Sequence, residues 1–552
     1  MERTANTMPR RQFLALQAGA AAIVLTRQGM AQAGTPSTIV DVVREGAIPD
    51  GKTKCTTALQ RAIDKVNLAG GGLVYVPPGT YLTGGLELRS RVTLYLEAGA
   101  VLLGSSEIAD YTPRAGMGIA GDANAHHLLF ARDAEHVTVC GQGIVDGQGK
   151  AFWKPSGRPR PAESDMWKDV IAWDWVTATY MRPSPMLEFA GCTDLVLEGI
   201  TIRNASGWTL RPVNCQRVHI NGVRIENPNY GPNTDGIDIT NCQDVIISSC
   251  IISTGDDAIC LKSDLAYGKL LPTRNVVVTG CTLTTCCNGF KFGTATHGVF
   301  ENIVFSDSVI HNGPQPLNER VIAGIGINMV DGGSIDGVTI SNIMMQRVRT
   351  PIFLRLGRRT PSTSNSFLRH ISIVGVQANE ALLTSSITGL PDLRIEDVLL
   401  SEIEIRTAGG QSRSLMDEPV PELPEQYPEA RMFGRLPAFG LYARHTDGLR
   451  IRNARFHAAE SDGRPTIFCD DVSSLELASV SGYSGGQGQP DLQLTDTRDA
   501  FVHGNSSSRG ASSLLAVSGN RSTDIRLAGN AVRSETKLWT QSDEVPVGSV
   551  IA

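Results

Sequence analysis

NTDGIDITNCQDVIISSCIISTGDDAICLK, residues Asn233–Lys262, strings together short strand patterns rich in β-branched residues, and sets Asp235, Asp256 and Asp257 beside glycine or another Asp among them. The pattern extends well beyond its borders. From about Val137, a short strand, a Gly or Asn turn and a second strand recur at intervals of roughly 22 to 35 residues, as solenoid repeats do. Placing TDLVLEGITIRNASGWTL, QRVHINGVRIENPNYGPNTDGIDI, QDVIISSCIISTGDDAICL, RNVVVTGCTLTTCCNGFKF and the coil ending in AGIGIN in register gives one inner column of Trp208, Ile237, Ile259, Phe290 and Ile325. A second column two residues on reads Leu210, Ile239, Leu261, Phe292 and Ile327. Two apolar columns kept through five coils predict an all-β parallel β-helix, because each coil buries its apolar face only against its neighbours. No amphipathic helix of 10–15 residues separates these strands, which disfavours a mixed α/β sheet.

The ends and the insertions depart from the repeat. KCTTALQRAIDKVNL, Lys54 to Leu68, has helical period and precedes a Gly-Gly-Gly turn, so it reads as a helix capping the N-terminal end, with the first coils filling the rest of 34–136. Residues 137–552 read as one continuous β-helix, ending in a Ser/Gly-rich tail. Two stretches interrupt it: Gly149–Met186, with Trp153, Trp167, Trp173 and Trp175, and Ala408–Pro437, rich in Pro and Glu. Long loops on a regular scaffold are where binding usually sits, so tryptophans of the first insertion are expected to contact a ligand at a cleft rim.

Composition narrows the partners. Hydrophobic residues make up 41%, charged residues 19%, and there are 57 glycines, the profile of a globular chain with many turns. Residues 1–33 carry Arg10-Arg11, an apolar stretch from Phe13 to Leu25 and Ala31-Gln32-Ala33, which reads as a twin-arginine-type export signal and predicts a periplasmic or secreted protein. That segment holds Arg3, Arg10, Arg11 and Arg27 against Glu2, a net +3, so the formal −6 of the whole becomes −9 without it. An acidic body argues against nucleic acid or an anionic membrane as partner, and a monomer is the expectation.

The eleven cysteines suggest neither disulfides nor zinc. Cys192, Cys215 and Cys242 each precede a strand, so stacked coils would hold their Cβ atoms about 4.8 Å apart, too far for a disulfide. They read as a buried thiol ladder. No CxxC pair or His/Cys spacing suggests a metal, and no cofactor is expected.

In this register, the position just before the inner strand reads Ser206, Asp235, Asp257, Asn288 and Ala323. Strands do not select Asp for propensity. Carboxylates on coils about 4.8 Å apart can span the separation that inverting glycoside hydrolysis needs, and crowding like charges raises at least one pKa. A lone NTDG would more often be a turn cap, and Asp238, in a mixed column with Thr209, Cys260 and Lys291, reads that way.

The motifs NTDGID and GDDAI, with DGKTKCTTALQRAID, GGGLVYVPPGTYLTGGLEL, LYLEAGAVLLGS, RPSPMLEF and ASGWTL, resemble glycoside hydrolase family 28, the polygalacturonase-like enzymes, over most of the chain. The resemblance implies a right-handed parallel β-helix that hydrolyses pectin-type polysaccharide with inversion. It makes Asp257 the general acid, with Asp235 and Asp256 orienting and deprotonating the attacking water, and Asn233 beside them.

Two departures bear on the substrate. Asn288 stands where the family has a His between glycines, and Gly326-Ile327-Asn328 stands where it has an Arg-Ile-Lys that grips galacturonate. Lys262 and Lys291 are the candidate substitutes, so a rhamnogalacturonan or another branched pectin is an alternative substrate to plain homogalacturonan. Two further alternatives remain: a Ca²⁺-dependent polysaccharide lyase on the same fold and a non-catalytic glycan-binding β-helix. His297, His311 and His445 are weak candidates for a displaced proton shuttle, with Arg444-His445 the foremost.

Overall fold

Ile237 pairs with Ile259, Ile259 with Phe290, Phe290 with Ile325 and Ile325 with Ile352, each in parallel register on the next coil. All five side chains are fully buried, so the first inner column is a stack of apolar side chains running along the axis. The protein is described by a computed structural model covering residues 38–115, 124–157, 175–179, 181–312, 321–360 and 365–552. Coil upon coil, these strands form a right-handed parallel β-helix, the hand that parallel crossovers favour. Parallel pairing is already present at Asp50↔Thr80 in the first coils and runs on to Ile525↔Val550, so the Ser-rich C-terminal stretch is itself built into strands. Phe290 stacks on Phe305 with ring centroids 4.5 Å apart inside the core.

The first coil of the register is corrected by the structure. Leu210, not Trp208, pairs with Ile237, and Val213 pairs with Thr240. Trp208 therefore leaves the core column and lies opposite Asp235, where Ser206 was expected, while Arg211 rather than Thr209 shares the column of Asp238. A slip of two residues keeps every side chain on its own face, so alternation cannot detect it.

The turns are made by residues that tolerate a left-handed backbone. Gly191, Asn214 and Asn241 have φ of 64°, 54° and 55° on successive coils, and the Asn241 amide donates to Asn214 Oδ1 at 2.9 Å. The next residue on each coil is a cysteine. Cys192 N–H donates to Cys215 Sγ and Cys215 N–H to Cys242 Sγ, both at 3.3 Å, and all eleven cysteines are free thiols.

A helix spans Thr56–Leu68 and buries Ala58, Leu59, Ala62, Ile63 and Val66. No helix among the described residues is long and apolar enough to cross a membrane. The export signal lies outside the described residues, as do Trp167 and Trp173.

Candidate active site

Asp235 and Asp257 occupy equivalent places on adjacent coils, each two residues before a strand, Ile237–Thr240 and Ile259–Ser263. Gly236 N–H donates to the Asp257 carbonyl at 2.8 Å, which ties the two turns together. A Cβ on Gly236 would sit 2.3 Å from the Ala258 carbonyl oxygen, so only glycine lets the coils close at this point. Asp256 hangs from the same turn as Asp257, and its backbone carbonyl accepts from the hydroxyls of Thr254 and Thr285. The expected trio is thus brought together on one face. Asp235 and Asp257 are buried, and Asp256 is half-buried at the edge of the cleft.

The three carboxyls are in different electrostatic settings. Oδ1 of Asp257 accepts from the backbone N–H and Nδ2 of Asn288 at 3.2 and 2.6 Å, and Oδ2 accepts from Lys291 Nζ at 2.8 Å. Burial, reinforced by the charge of Asp257, raises the pKa of Asp256, with Lys291 opposing. Burial also raises Asp235 well above the usual carboxylate range, and the charges of Asp256 and Asp238 add to it. Asp235 has one neutral donor, Asn233 Nδ2 at 3.3 Å, and Asn233 Oδ1 in turn accepts from Arg182 at 3.0 Å.

Beneath the trio lies a buried ion pair. Lys262 Nζ stands 3.3 Å from Asp238 Oδ1 and 3.2 Å from Cys260 Sγ. Asp238 is therefore a mid-strand partner of Lys262 and not a turn cap. Its pKa is pushed up to about 6 by burial, with Lys262 holding it back. Burial would lower the pKa of Lys262, but Cys260, Asp238 and Asp235 together raise it.

These groups line a cavity of about 430 Å³ that holds Asp235, Asp256, Asp257, Lys262 and Lys291 together with Trp208, Arg211, Arg359 and Tyr427. Two segments pack on the sheet face beside the cavity. On one side, the turn at Asp264–Tyr267 folds back over earlier coils: Ala266 and Tyr267 pack against Phe130, Ala190 and Val213, and the Tyr267 hydroxyl bonds to Glu188. On the other, Ala430, Phe433 and Leu436 of the Pro/Glu-rich insertion pack on Ile322, Phe353 and Tyr442. Arg355, buried, fastens that insertion by donating to the carbonyls of Glu422 and Leu423 at 2.7 and 3.1 Å.

The remaining sequence candidates separate by position. Asn233, Lys262 and Lys291 line the cavity. Asn288 supports Asp257 from behind, and Asn328 is buried with no hydrogen-bond partner for Oδ1; neither lines the cavity. His297 lines it with Nδ1 3.0 Å from Asp264. His445 is buried between Asp471 and Glu422 at 2.7 and 3.0 Å and holds the insertion to the coils, while His311 meets Thr284 at 3.2 Å away from the cavity. For Trp153 the expectation is corrected: it is 6% exposed and its Nε1 donates to the Ser206 carbonyl at 2.9 Å. Trp153–Pro155 pairs antiparallel with Trp175–Thr177, and the rings of Trp153 and Trp175 pack on Tyr230.

Sequence reading missed Trp208, Arg211, Arg359 and Tyr427. Trp208 was hidden by the two-residue slip; its ring carries Lys262 Nζ 4.7 Å and Arg211 Cζ 5.6 Å from its centroid. Arg359 and Tyr427 follow the coils of Asp235 and Asp257 by a long stretch of chain, so no local motif marks them.

The donor set does not suit Ca²⁺. Among the described residues, Asp256, Asp257 and Cys287 hold ligand atoms within 4.8 Å of one another, but a thiol is a poor ligand for a hard cation and the Lys291 ammonium already occupies Asp257.

The model of Glycosyl hydrolases family 28 matches residues 117–389, and a second, Rhamnogalacturonase A/epimerase, pectate lyase-like, matches residues 39–122. A "Probable polygalacturonase" of Vitis vinifera is 26% identical over 437 residues, 72% of this chain and 82% of its own. An "Exo-poly-alpha-D-galacturonosidase" of Dickeya chrysanthemi is 26% identical over 345 residues, 56% of this chain and 55% of its own. Two solved structures share the fold, an exopolygalacturonase from Thermotoga maritima (TM-score 0.55, 22% identity, 68% of this chain and 89% of that one) and a family 28 exopolygalacturonase from Yersinia enterocolitica (TM-score 0.55, 19% identity, 85% and 79%). A matching family model centred on the coils that gather Asp235, Asp256 and Asp257, together with relatives along most of the chain, makes the protein similar to glycoside hydrolase family 28.

Proposed function

We propose that the protein hydrolyses galacturonate-containing pectic polysaccharide by inverting acid/base catalysis, with Asp256 as general acid and Asp235 and Asp257 flanking the attacking water. The observation that supports this division is the difference between neighbours in one turn. Both oxygens of Asp257 already accept bonds from Asn288 and Lys291, whereas Asp256, whose Oδ1 accepts from Asp257 N–H, has a raised pKa and is the less buried of the two where both line the cavity. An acid must hold a proton and face the leaving oxygen, and a raised pKa at the edge of the cleft favours Asp256 for that role. Exchanging the roles that the family resemblance implies for Asp256 and Asp257 leaves Asp235 in place. Its raised pKa makes it the stronger base once ionised.

The walls of the cavity support action at a chain end. A polymer running through would have to displace the Asp264–Tyr267 turn on one side or the packed insertion on the other. Export through the twin-arginine route belongs to the same reading and rests on Arg10-Arg11 before Gln12-Phe13-Leu14. Replacing both arginines by lysine should retain the protein in the cytoplasm, and unchanged export would refute that part.

The deciding assay incubates the protein with polygalacturonate and with a rhamnogalacturonan, following reducing ends and ultraviolet absorbance together. Reducing ends without absorbance at the unsaturated-uronate band are expected. Absorbance that grows with the reducing ends would replace the hydrolase by a lyase.

A further inference from the structure

We infer that Arg359, with Tyr427 of the Pro/Glu-rich insertion, recognises the carboxylate of the bound uronate, taking over the task for which Gly326 and Asn328 have no charge. The inference rests on the proposed pectic substrate and names the residues that select it. A uronate carboxylate held in a pocket needs a cation that is not already consumed, since a buried anion without a partner is costly.

The cations of the cavity can be sorted by that criterion. Lys291 is bound to Asp257 at 2.8 Å, and Lys262 stands 3.3 Å from Asp238. Arg211 donates Nε to Thr240 Oγ1 and Nη1 to Glu188 Oε2, both at 3.3 Å, and its side chain is only 8% exposed. Arg359 differs in being the more open guanidinium, 29% exposed, with its partner on one edge. Nε and Nη2 donate to Asp331 at 2.8 and 3.0 Å, which leaves Nη1 without a hydrogen-bond partner among the described residues.

The orientation of Arg359 is fixed from below. Asp331 is inaccessible to solvent and also accepts from Thr296 N–H at 3.0 Å, Thr296 Oγ1 at 3.2 Å and Thr360 Oγ1 at 3.0 Å. A carboxylate so fully bonded cannot swing, so it holds the guanidinium with its open edge in a single setting. Above it lies the Tyr427 ring, with Arg359 Cζ 5.7 Å from the centroid. The Tyr427 hydroxyl accepts from Lys291 Nζ at 3.2 Å and keeps its own proton to donate. Arg359 Nη1 and Tyr427 O–H are therefore two donors for the two oxygens of one carboxylate, supplied from outside the catalytic coils.

The test measures galacturonate and galactose binding to the intact protein by calorimetry, alongside hydrolysis of polygalacturonate. Wild type should bind galacturonate at least ten-fold more tightly than galactose. Arg359→Ala should lose that preference and raise KM for polygalacturonate more than it lowers kcat, and Tyr427→Phe should lose part of the preference. Arg359→Lys, which keeps the charge and serves as the test if the alanine variant does not fold, should lie between. A folded Arg359→Ala or Arg359→Lys that still prefers galacturonate as wild type does would overturn the inference while the hydrolase reading stands. A wild type that cleaves neither pectic backbone would overturn the hydrolase reading, and the inference with it.

Discussion

The ammonium of Lys291 lies 2.8 Å from Asp257 Oδ2 and 3.2 Å from the Tyr427 hydroxyl, so one lysine joins the Asp256-Asp257 turn to an insertion residue 136 positions further along the chain. Burial would lower the pKa of Lys291, but the adjoining Asp257 and Tyr427 raise it well above the ordinary lysine value, and it stays charged. That charge also reaches Asp256, which it holds below the pKa that burial and Asp257 would otherwise give it.

Lys291→Ala should therefore raise the pKa of Asp256 further. With Asp256 as acid, the alkaline limb of the kcat/KM profile moves to higher pH, even as the maximum falls through loss of the Asp257 partner. A limb that stays in place or moves down would remove Asp256 from the acid role.

Asp256→Asn and Asp257→Asn should each reduce turnover by at least roughly 10²-fold with the fold retained. They part company on a substrate whose leaving group needs no proton, such as a nitrophenyl galacturonide. Asp256→Asn should recover most of its loss there, and Asp257→Asn should not. The reverse pattern would return the acid role to Asp257.

Chain-end action, proposed from the Asp264–Tyr267 turn and the packed insertion, predicts release of short products from chain ends. The viscosity of a polygalacturonate solution should fall slowly relative to the appearance of reducing ends. Rapid loss of viscosity early in the reaction would show that the Asp264–Tyr267 turn or the insertion opens to admit the middle of a chain.

Away from the site, Asp491 is buried and accepts from Ser508 N–H at 2.8 Å and from its hydroxyl, and burial pushes its pKa up to about 6 from 3.8. A carboxyl raised in the folded state binds its proton more tightly there than in the unfolded chain. Its contribution is present in full below pH 3.8 and is lost as pH rises through about 6, a change on the order of 3 kcal/mol. Asp491→Asn should flatten the pH dependence of unfolding free energy across this window, and an unchanged slope would assign the titration to other groups.

The fold was legible because a solenoid writes its core into the sequence once per coil. Ile237, Ile259 and Phe290 had to recur at matching places for each coil to bury its neighbour, and the Asp trio could be put on one face from the same register. Where the register slipped, at Trp208 and Leu210, the error was two residues, which changes the pairing partner but not the face. The β-helix, the gathering of Asp235, Asp256 and Asp257, and the absence of charge at Gly326 and Asn328 were thus readable from the chain alone. Only the tertiary structure decided what each carboxyl touches, because a hydrogen bond from Lys291 or a wall formed by Tyr427 depends on how a distant insertion packs against the sheet. Arg359 shows the same limit: its open edge exists because Asp331, buried beneath it, occupies the other one, and no spacing along the chain encodes that arrangement.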